Sequence, residues 1–515
     1  MGNSRVARTI KNAKISLIFY FLLLVITFFS RSVFIKYLGA DYVGLTSTMM
    51  NIMGFLNLAE MGFSSVVAFA LYKPLFDNDL ASVGEVLSVF GYVYNRIGFI
   101  ILICGAVIAV FLPGFFKGSG FSDEIIWATY FTYLTTTLLG FFVNYKEVLL
   151  AADQKNFIKV KTFNVVKIAK ISTQILCLIC IDYGVYGWLL LEFLFLSVYS
   201  IFINLQIKRL YPQLSSTARG GKALKDKYSF IYQKAKQAFF HKFSSIVLQQ
   251  TGGILIYMYS NLSMVTRYAN YTLITSSIYT LLSSVFDSTN AAVGNLVAEK
   301  DDKKILSVFW ELQVSRYWIA TCMVYVTYST IDSFISVWLG ADYILSFDIK
   351  IILMLNLFVM LTRKTNDEFI SACGLFKDVW APIAEALLNI SVAIVAGNLF
   401  GIVGIPLGML LSTLLIIGIW KPIFLYREFI PEKKRYYFLR VFKYILVSLG
   451  SIFIAENFPA LYLYSGNKYF DLLSLGLEKA FAIFTISWIV YYVVALEMRR
   501  FTKRFSTMIR NKLFA

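Results

Sequence analysis

Apolar residues come in long blocks along this chain, separated by short polar stretches. Blocks of roughly 20 residues, enough to cross a hydrocarbon core, lie at 15–37, 43–70, 83–112, 125–150, 162–181, 184–207, 242–260, 268–297, 308–331, 346–370, 379–400, 402–425, 437–456 and 476–496. They predict an all-α integral membrane protein of about fourteen transmembrane helices.

The pattern also repeats. Val86-Leu87-Ser88-Val89-Phe90, with Arg96 behind it, returns as Ile305-Leu306-Ser307-Val308-Phe309 with Arg316 behind it, an offset of about 220 residues. Glu147-Val148-Leu149-Leu150-Ala151-Ala152 and Glu368-Phe369-Ile370-Ser371-Ala372-Cys373 keep nearly the same offset. Leu38-Gly39-Ala40-Asp41-Tyr42 and Leu339-Gly340-Ala341-Asp342-Tyr343 agree better still but break the frame, and read as two similar turns, a Gly stop followed by an Asp cap.

Six spans per repeat is an even number. Both copies therefore enter the membrane in the same sense, which predicts two six-helix lobes related by a pseudo-two-fold along the membrane normal and enclosing a cleft. The expected organisation is a first lobe over 1–207, a linker over 208–241, a second lobe over 242–425, and two further helices with a basic tail over 426–515. In the linker, Tyr228, Phe230, Ile231, Ala235, Ala238 and Phe239 alternate with Lys227, Lys234 and Lys236 at helical spacing, which predicts an interfacial amphipathic helix.

Composition agrees: 58% of residues are hydrophobic and 15% charged, which excludes an ordinary soluble globule. The net charge of +18 would in a soluble protein suggest nucleic acid. Here the basic residues gather in alternate loops, from Arg5, Arg8, Lys11 and Lys14 before the first span to Arg499, Arg500, Lys503 and Arg504 after the last, while loops between carry acids such as Asp123, Glu124, Asp182 and Asp332. That bias predicts a multi-pass protein of the bacterial cell (inner) membrane with both termini cytoplasmic, its cations meeting membrane lipids rather than nucleic acid. The basic start is expected to remain as a helix and not to be cleaved as a signal peptide.

Catalytic chemistry is not indicated. The five cysteines sit in or beside apolar spans, and Cys177 with Cys180 reads as packing. His241 is the only histidine, and no P-loop, metal spacing or large outer loop with paired carboxylates is present. A membrane enzyme would need such a loop. The reading is a transporter with no cofactor and no metal.

Ionisable groups within spans carry the functional signal, since each costs about 2.5–3.5 kcal/mol at the bilayer centre unless a partner or a wet cavity receives it. Arg31 offers a planar fork of donors for phosphate oxygens, with Arg267, Arg363 and Lys364 adding positive potential as substrate-binding candidates. Glu60 and Asp287 are candidate cavity acids that would couple transport to H+ or Na+. Arg96, Arg316, Glu147 and Glu368 read either as gating residues or as buried ion pairs and interfacial anchors, and Glu192, Glu311 and Glu385 are further candidates.

Phe29-Ser30-Arg31, Tyr37-Leu38-Gly39-Ala40, the stretch Asn57-Leu58-Ala59-Glu60-Met61-Gly62 and the fourteen-span plan resemble the Wzx-type polysaccharide flippases of the multidrug/oligosaccharidyl-lipid/polysaccharide exporter superfamily. The resemblance implies alternating access by two lobes that carry an undecaprenyl-pyrophosphate-linked glycan, a repeat unit of lipopolysaccharide or capsule, to the outer leaflet for polysaccharide polymerase machinery. Arg31 looks like the first-helix arginine lining the cavity of the related lipid II flippases. A lipid II flippase and a cation-coupled multidrug exporter of the same fold are the alternatives.

Overall fold

The computed structural model describes residues 2–513 except 61–62, 182–183, 217, 376, 431 and 460–464, without the side chains of 2–14, 16–17, 59, 237–242, 244, 291, 505 and 508–513. The side chains of Arg5, Arg8, Lys11, Lys14, Ala238, Phe239 and His241, and all of Met61, Gly62 and Asp182, thus lie outside the described residues.

The described elements are all helical, and they fall into two compact units, Met1–Thr266 and Arg267–Ala515. The first unit holds α1 (Gly2–Leu38), α2 (Ala40–Leu56), α3 (Phe63–Phe76), α4 (Leu80–Phe115), α5 (Asp123–Phe142), α6 (Val148–Ala152), α7 (Asn156–Cys180), α8 (Gly184–Leu210) and α9 (Ser229–Tyr259). Helix α10 (Leu262–Phe286) crosses the boundary. The second unit continues with α11 (Asn290–Ala298), α12 (Asp302–Trp338), α13 (Phe347–Thr362), α14 (Lys364–Ala372), α15 (Trp380–Phe400), α16 (Gly404–Thr413), a π-helical segment (Leu414–Trp420), α17 (Lys421–Glu428), α18 (Lys434–Glu456), α19 (Lys468–Val494) and α20 (Leu496–Leu513).

Among the described residues, eight helical stretches are long and apolar enough to span a membrane, and one of them, Trp380–Glu428, takes in two of the expected spans. Leu22, Val110, Leu399 and Phe453 are exposed on such stretches, as a lipid-facing surface requires.

The sequence repeat reappears as local structure. Helices α4 and α12, 36 and 37 residues long, each open on an aspartate cap: Asp79 accepts from the Ser82 amide, Asp301 from the amides of Lys303 and Lys304. The two Leu-Gly-Ala-Asp-Tyr sequences also take the same turn. Gly39 (φ 82°, ψ 157°) and Gly340 (φ 110°, ψ 159°) occupy a backbone region open only to glycine. The expected Asp caps do not form there, because the glycine itself holds the cap position and Asp41 and Asp342 fall inside the following turn.

Residues 229–241 are the opening turns of α9 rather than a separate interfacial helix; Ile231 and Ala235 are fully buried in the first unit's core. The linker before them is tied to the start of α4, where Glu85 accepts from Lys227 Nζ (2.5 Å) and from the Tyr228 hydroxyl (2.7 Å). The hydrogen bond to Glu85 raises the pKa of Lys227.

Helix α9 belongs to the first unit because it packs along α2. Beside that contact α2 meets the chain just past α9, where a Cβ on Gly44 would fall 2.0 Å from the Leu262 carbonyl oxygen. The Thr266 hydroxyl also donates to the Ala40 carbonyl (2.6 Å). Gly44→Ala is therefore expected to cost about 1–3 kcal/mol, as overpacking against backbone does. Thermal unfolding in detergent micelles checks this, and an unchanged midpoint would show that the contact gives way.

Candidate functional site

In each unit an apolar run breaks at an acidic residue of a 3-10 turn. Helix α2 gives way to a 3-10 turn, Asn57–Glu60, before α3, and α10 to a 3-10 turn, Asp287–Thr289, before α11. Such breaks interrupt the internal hydrogen bonding a lipid-facing helix must keep, and are tolerated where protein or water replaces it. The Glu60 carboxylate accepts from the hydroxyls of Ser64 (2.9 Å) and of Tyr94 on α4 (2.6 Å), two neutral donors, and makes no ion pair among the described residues. Asp287 is matched instead by Lys364 Nζ at 3.2 Å.

Three of the candidate cations of the second unit are matched by acids. Arg316 on α12 and Glu368 on α14 form an ion pair of 2.6 Å with side chains 2% and 3% exposed, and the Thr289 hydroxyl bridges them. Arg363 donates to Asp367 at 2.7 Å. Three basic residues thus meet three carboxylates. The substrate-binding candidates Arg363 and Lys364 are both occupied by acids, and Arg267 lies half-buried near the start of α10.

The matching residues of the first unit behave differently. Arg96 is exposed and lies over the Tyr92 ring at 4.8 Å, while Glu147 accepts from Tyr199 (2.9 Å) and pairs with Lys159 (2.9 Å). Arg96 and Glu147 therefore do not repeat the Arg316–Glu368 pair.

A group that the sequence reading passed over emerges on α7. Lys159, Lys167, Lys170 and Gln174 fall within an arc of about 80° on this helix. Lys170 pairs with Glu192 of α8 at 2.5 Å, the two side chains 15% and 10% exposed, and Gln174 Nε2 donates to Glu192 (3.2 Å) and to the Trp188 carbonyl (3.3 Å). Phe34 of α1 meets the Trp188 ring edge-on with centroids 3.8 Å apart, which brings α1 and its partly buried Arg31, one turn before Phe34, to this place.

Lys167 is half-buried and makes no hydrogen bond or ion pair among the described residues. Among the described residues, Lys167 and Lys170 share this stretch of α7 and α8 with the carboxylate of Glu192. Midway along a membrane helix such an excess of cations requires water or a bound anion. The signal was legible in principle: lysines three apart inside an apolar run are expensive and need a reason.

The second unit also carries a groove of 630 Å³, with Met354, Phe358, Ile417, Val441 and Ile445 among its walls and Arg363 with Asn366 among its polar lining. The π-helical segment contributes Leu414, Ile417 and Gly418. Of the remaining candidates, Glu311 accepts from Ser307 and pairs with Arg504 of α20 at 3.1 Å, and Glu385 is buried in α15.

No family model and no curated protein matches the chain. Solved structures do. The lipid II flippase MurJ in an inward closed conformation superposes with a TM-score of 0.65 and 18% identity, over 92% of this chain and 98% of that one. An inward-facing multidrug resistance MATE family transporter of the MOP superfamily follows at 0.57 and 14% identity, over 80% and 97%. The fold is the one these transporters share.

Proposed function

We propose that this protein is a flippase that moves an undecaprenyl-pyrophosphate-linked oligosaccharide repeat unit from the cytoplasmic to the outer leaflet of a bacterial inner membrane by alternating access. The observation that carries the reading is the cationic face of α7, where Lys167 and Lys170 stand against Glu192 within apolar helices among the described residues. Charge-assisted hydrogen bonds from such groups suit pyrophosphate oxygens. A glycan cannot cross hydrocarbon unaided, since each unsatisfied hydroxyl costs several kcal/mol, so a polar path through the protein is required. Outward movement of negative charge gains about 2.3 kcal/mol per charge per 100 mV from an inside-negative potential.

In this reading both termini are cytoplasmic, the two lobes are the repeated units, and the glycan is passed to polymerase machinery. The nearness of the fold to the MurJ structure supports a lipid-linked glycan over a small drug.

The test is the rate at which newly made glycan appears on the outer leaflet of cells lacking the gene. Wild-type protein is expected to restore it, whereas Arg31→Ala and Glu60→Gln, present in the membrane at normal amounts, restore it several-fold less well. Normal glycan display without the gene would end the proposal. A cation-coupled exporter is the second reading, favoured by the Glu60 carboxylate, which makes no ion pair among the described residues. Drug resistance conferred by the gene, with glycan display unchanged, would select it.

A further inference from the structure

We propose that the groove between α7 and α8, at the end of the first unit where the linker begins, binds an anionic glycerophospholipid. The groove has a volume of 510 Å³ and is lined on one side by Lys161, Thr162 and Val165 of α7 and on the other by Phe202, Gln206 and Arg209 of α8. Its α8 wall, residues 202–210, extends about 14 Å along the helix, from the interface into the apolar run.

The charges decide the occupant. Lys155 and Lys159 nearby are already matched, to Asp153 at 2.6 Å and Glu147 at 2.9 Å. Lys161 and Arg209, both exposed, have no ion pair or hydrogen bond among the described residues. The Thr162 hydroxyl donates to Gln206 Oε1 (3.2 Å) across the floor, which leaves the Gln206 amide N–H groups for an ester or phosphate oxygen. Val165 and Phe202, 48% and 52% exposed, supply an apolar wall for an acyl chain.

Two cations and an amide at one end of an apolar trough match an anionic headgroup with a chain attached. The groove on the other side of α8, towards α5, differs. Its single cation is Lys208, and its polar residues Ser200 and Asn204 are engaged with Asn144 at 3.0 and 3.2 Å. The contribution of Arg209 to the C-terminal end of α8 accounts for its own position but not for Lys161 opposite it.

The experiment is native mass spectrometry of the full-length protein released from nanodiscs of equal parts phosphatidylglycerol and phosphatidylcholine. Wild type is expected to retain phosphatidylglycerol preferentially. Lys161→Ala/Arg209→Ala is expected to lower that preference about thirtyfold, about fivefold for each cation. Val165→Trp, which fills the trough and leaves both charges, is expected to lower retention as well, and Arg500→Ala/Lys503→Ala in α20 to leave it unchanged.

An unchanged preference in Lys161→Ala/Arg209→Ala overturns the proposal, as does the absence of any preference in wild type. Full retention by Val165→Trp, or complete displacement by millimolar inorganic phosphate, would reduce the site to one for free phosphate and overturn it equally. None of these outcomes depends on what the protein transports.

Discussion

Replacing Glu368 by Ala is expected to destabilise the second unit by about 3–5 kcal/mol, the cost of leaving a buried charge without its partner. Arg316 is 2% exposed, its Nη2 donates to Glu368 and Thr289, and its Nη1 has no hydrogen-bond partner. With the carboxylate gone the guanidinium would keep the Thr289 hydroxyl and the Phe286 ring 5.1 Å away, neither of which offsets its desolvation. Glu368→Gln retains a hydrogen-bond acceptor and should cost less. The double change Arg316→Met/Glu368→Leu removes both charges and should return close to wild-type stability, because well-packed apolar pairs often match buried ion pairs. Unfolding in detergent of the four proteins completes a double-mutant cycle. A Glu368→Ala midpoint equal to wild type would show that water reaches the pair.

That pair also shows where the sequence stopped informing. Arg316 and Glu368 stand 52 residues apart, and Arg96 and Glu147 stand 51 apart (147 minus 96), yet only the first two meet. The difference is local. Glu368 lies in a regular helix, α14, that packs on α12, whereas Glu147 ends a 3-10 turn and is taken by Tyr199 of α8. Spacing alone cannot distinguish a helix from a 3-10 turn a few residues long.

The membrane helices were legible because a hydrocarbon core imposes a length of about 20 apolar residues that no other constraint imitates. Their breaks were not, since the apolar runs 43–70 and 268–297 continue across both 3-10 turns; only Glu60 and Asp287 marked the places. The placement of α9 was hidden for a different reason. Its contact with α2, like the close approach at Gly44 beside it, joins segments some 200 residues apart, and small residues carry no hydropathy signal. Lys167 and Lys170 escaped notice because Ile168, Ala169 and Ile171 around them keep the 162–181 run apolar enough to read as an ordinary span.

Under the proposed flippase function, Lys167→Ala is expected to slow glycan export about ten- to hundredfold, the loss of a charge-assisted hydrogen bond of about 1.5–3 kcal/mol to a phosphate oxygen. It is the cleanest probe of the α7 face. Lys170→Ala would orphan the buried Glu192 and confuse binding with folding, whereas Lys167 makes no hydrogen bond or ion pair among the described residues. Its removal should leave stability unchanged or slightly raised, since a half-buried ammonium beside Lys170 is a cost to the folded protein. A function that lowers stability at rest is what a binding site for an absent anion entails. Lys167→Arg keeps the charge and should retain most export. Flipping of undecaprenyl-pyrophosphate-linked glycan into the outer leaflet of proteoliposomes, measured beside thermal unfolding, separates the two effects. If Lys167→Ala transports at the wild-type rate, the lysine only extends its stem through apolar surface to reach water, and the cationic face of α7 is not where the pyrophosphate passes.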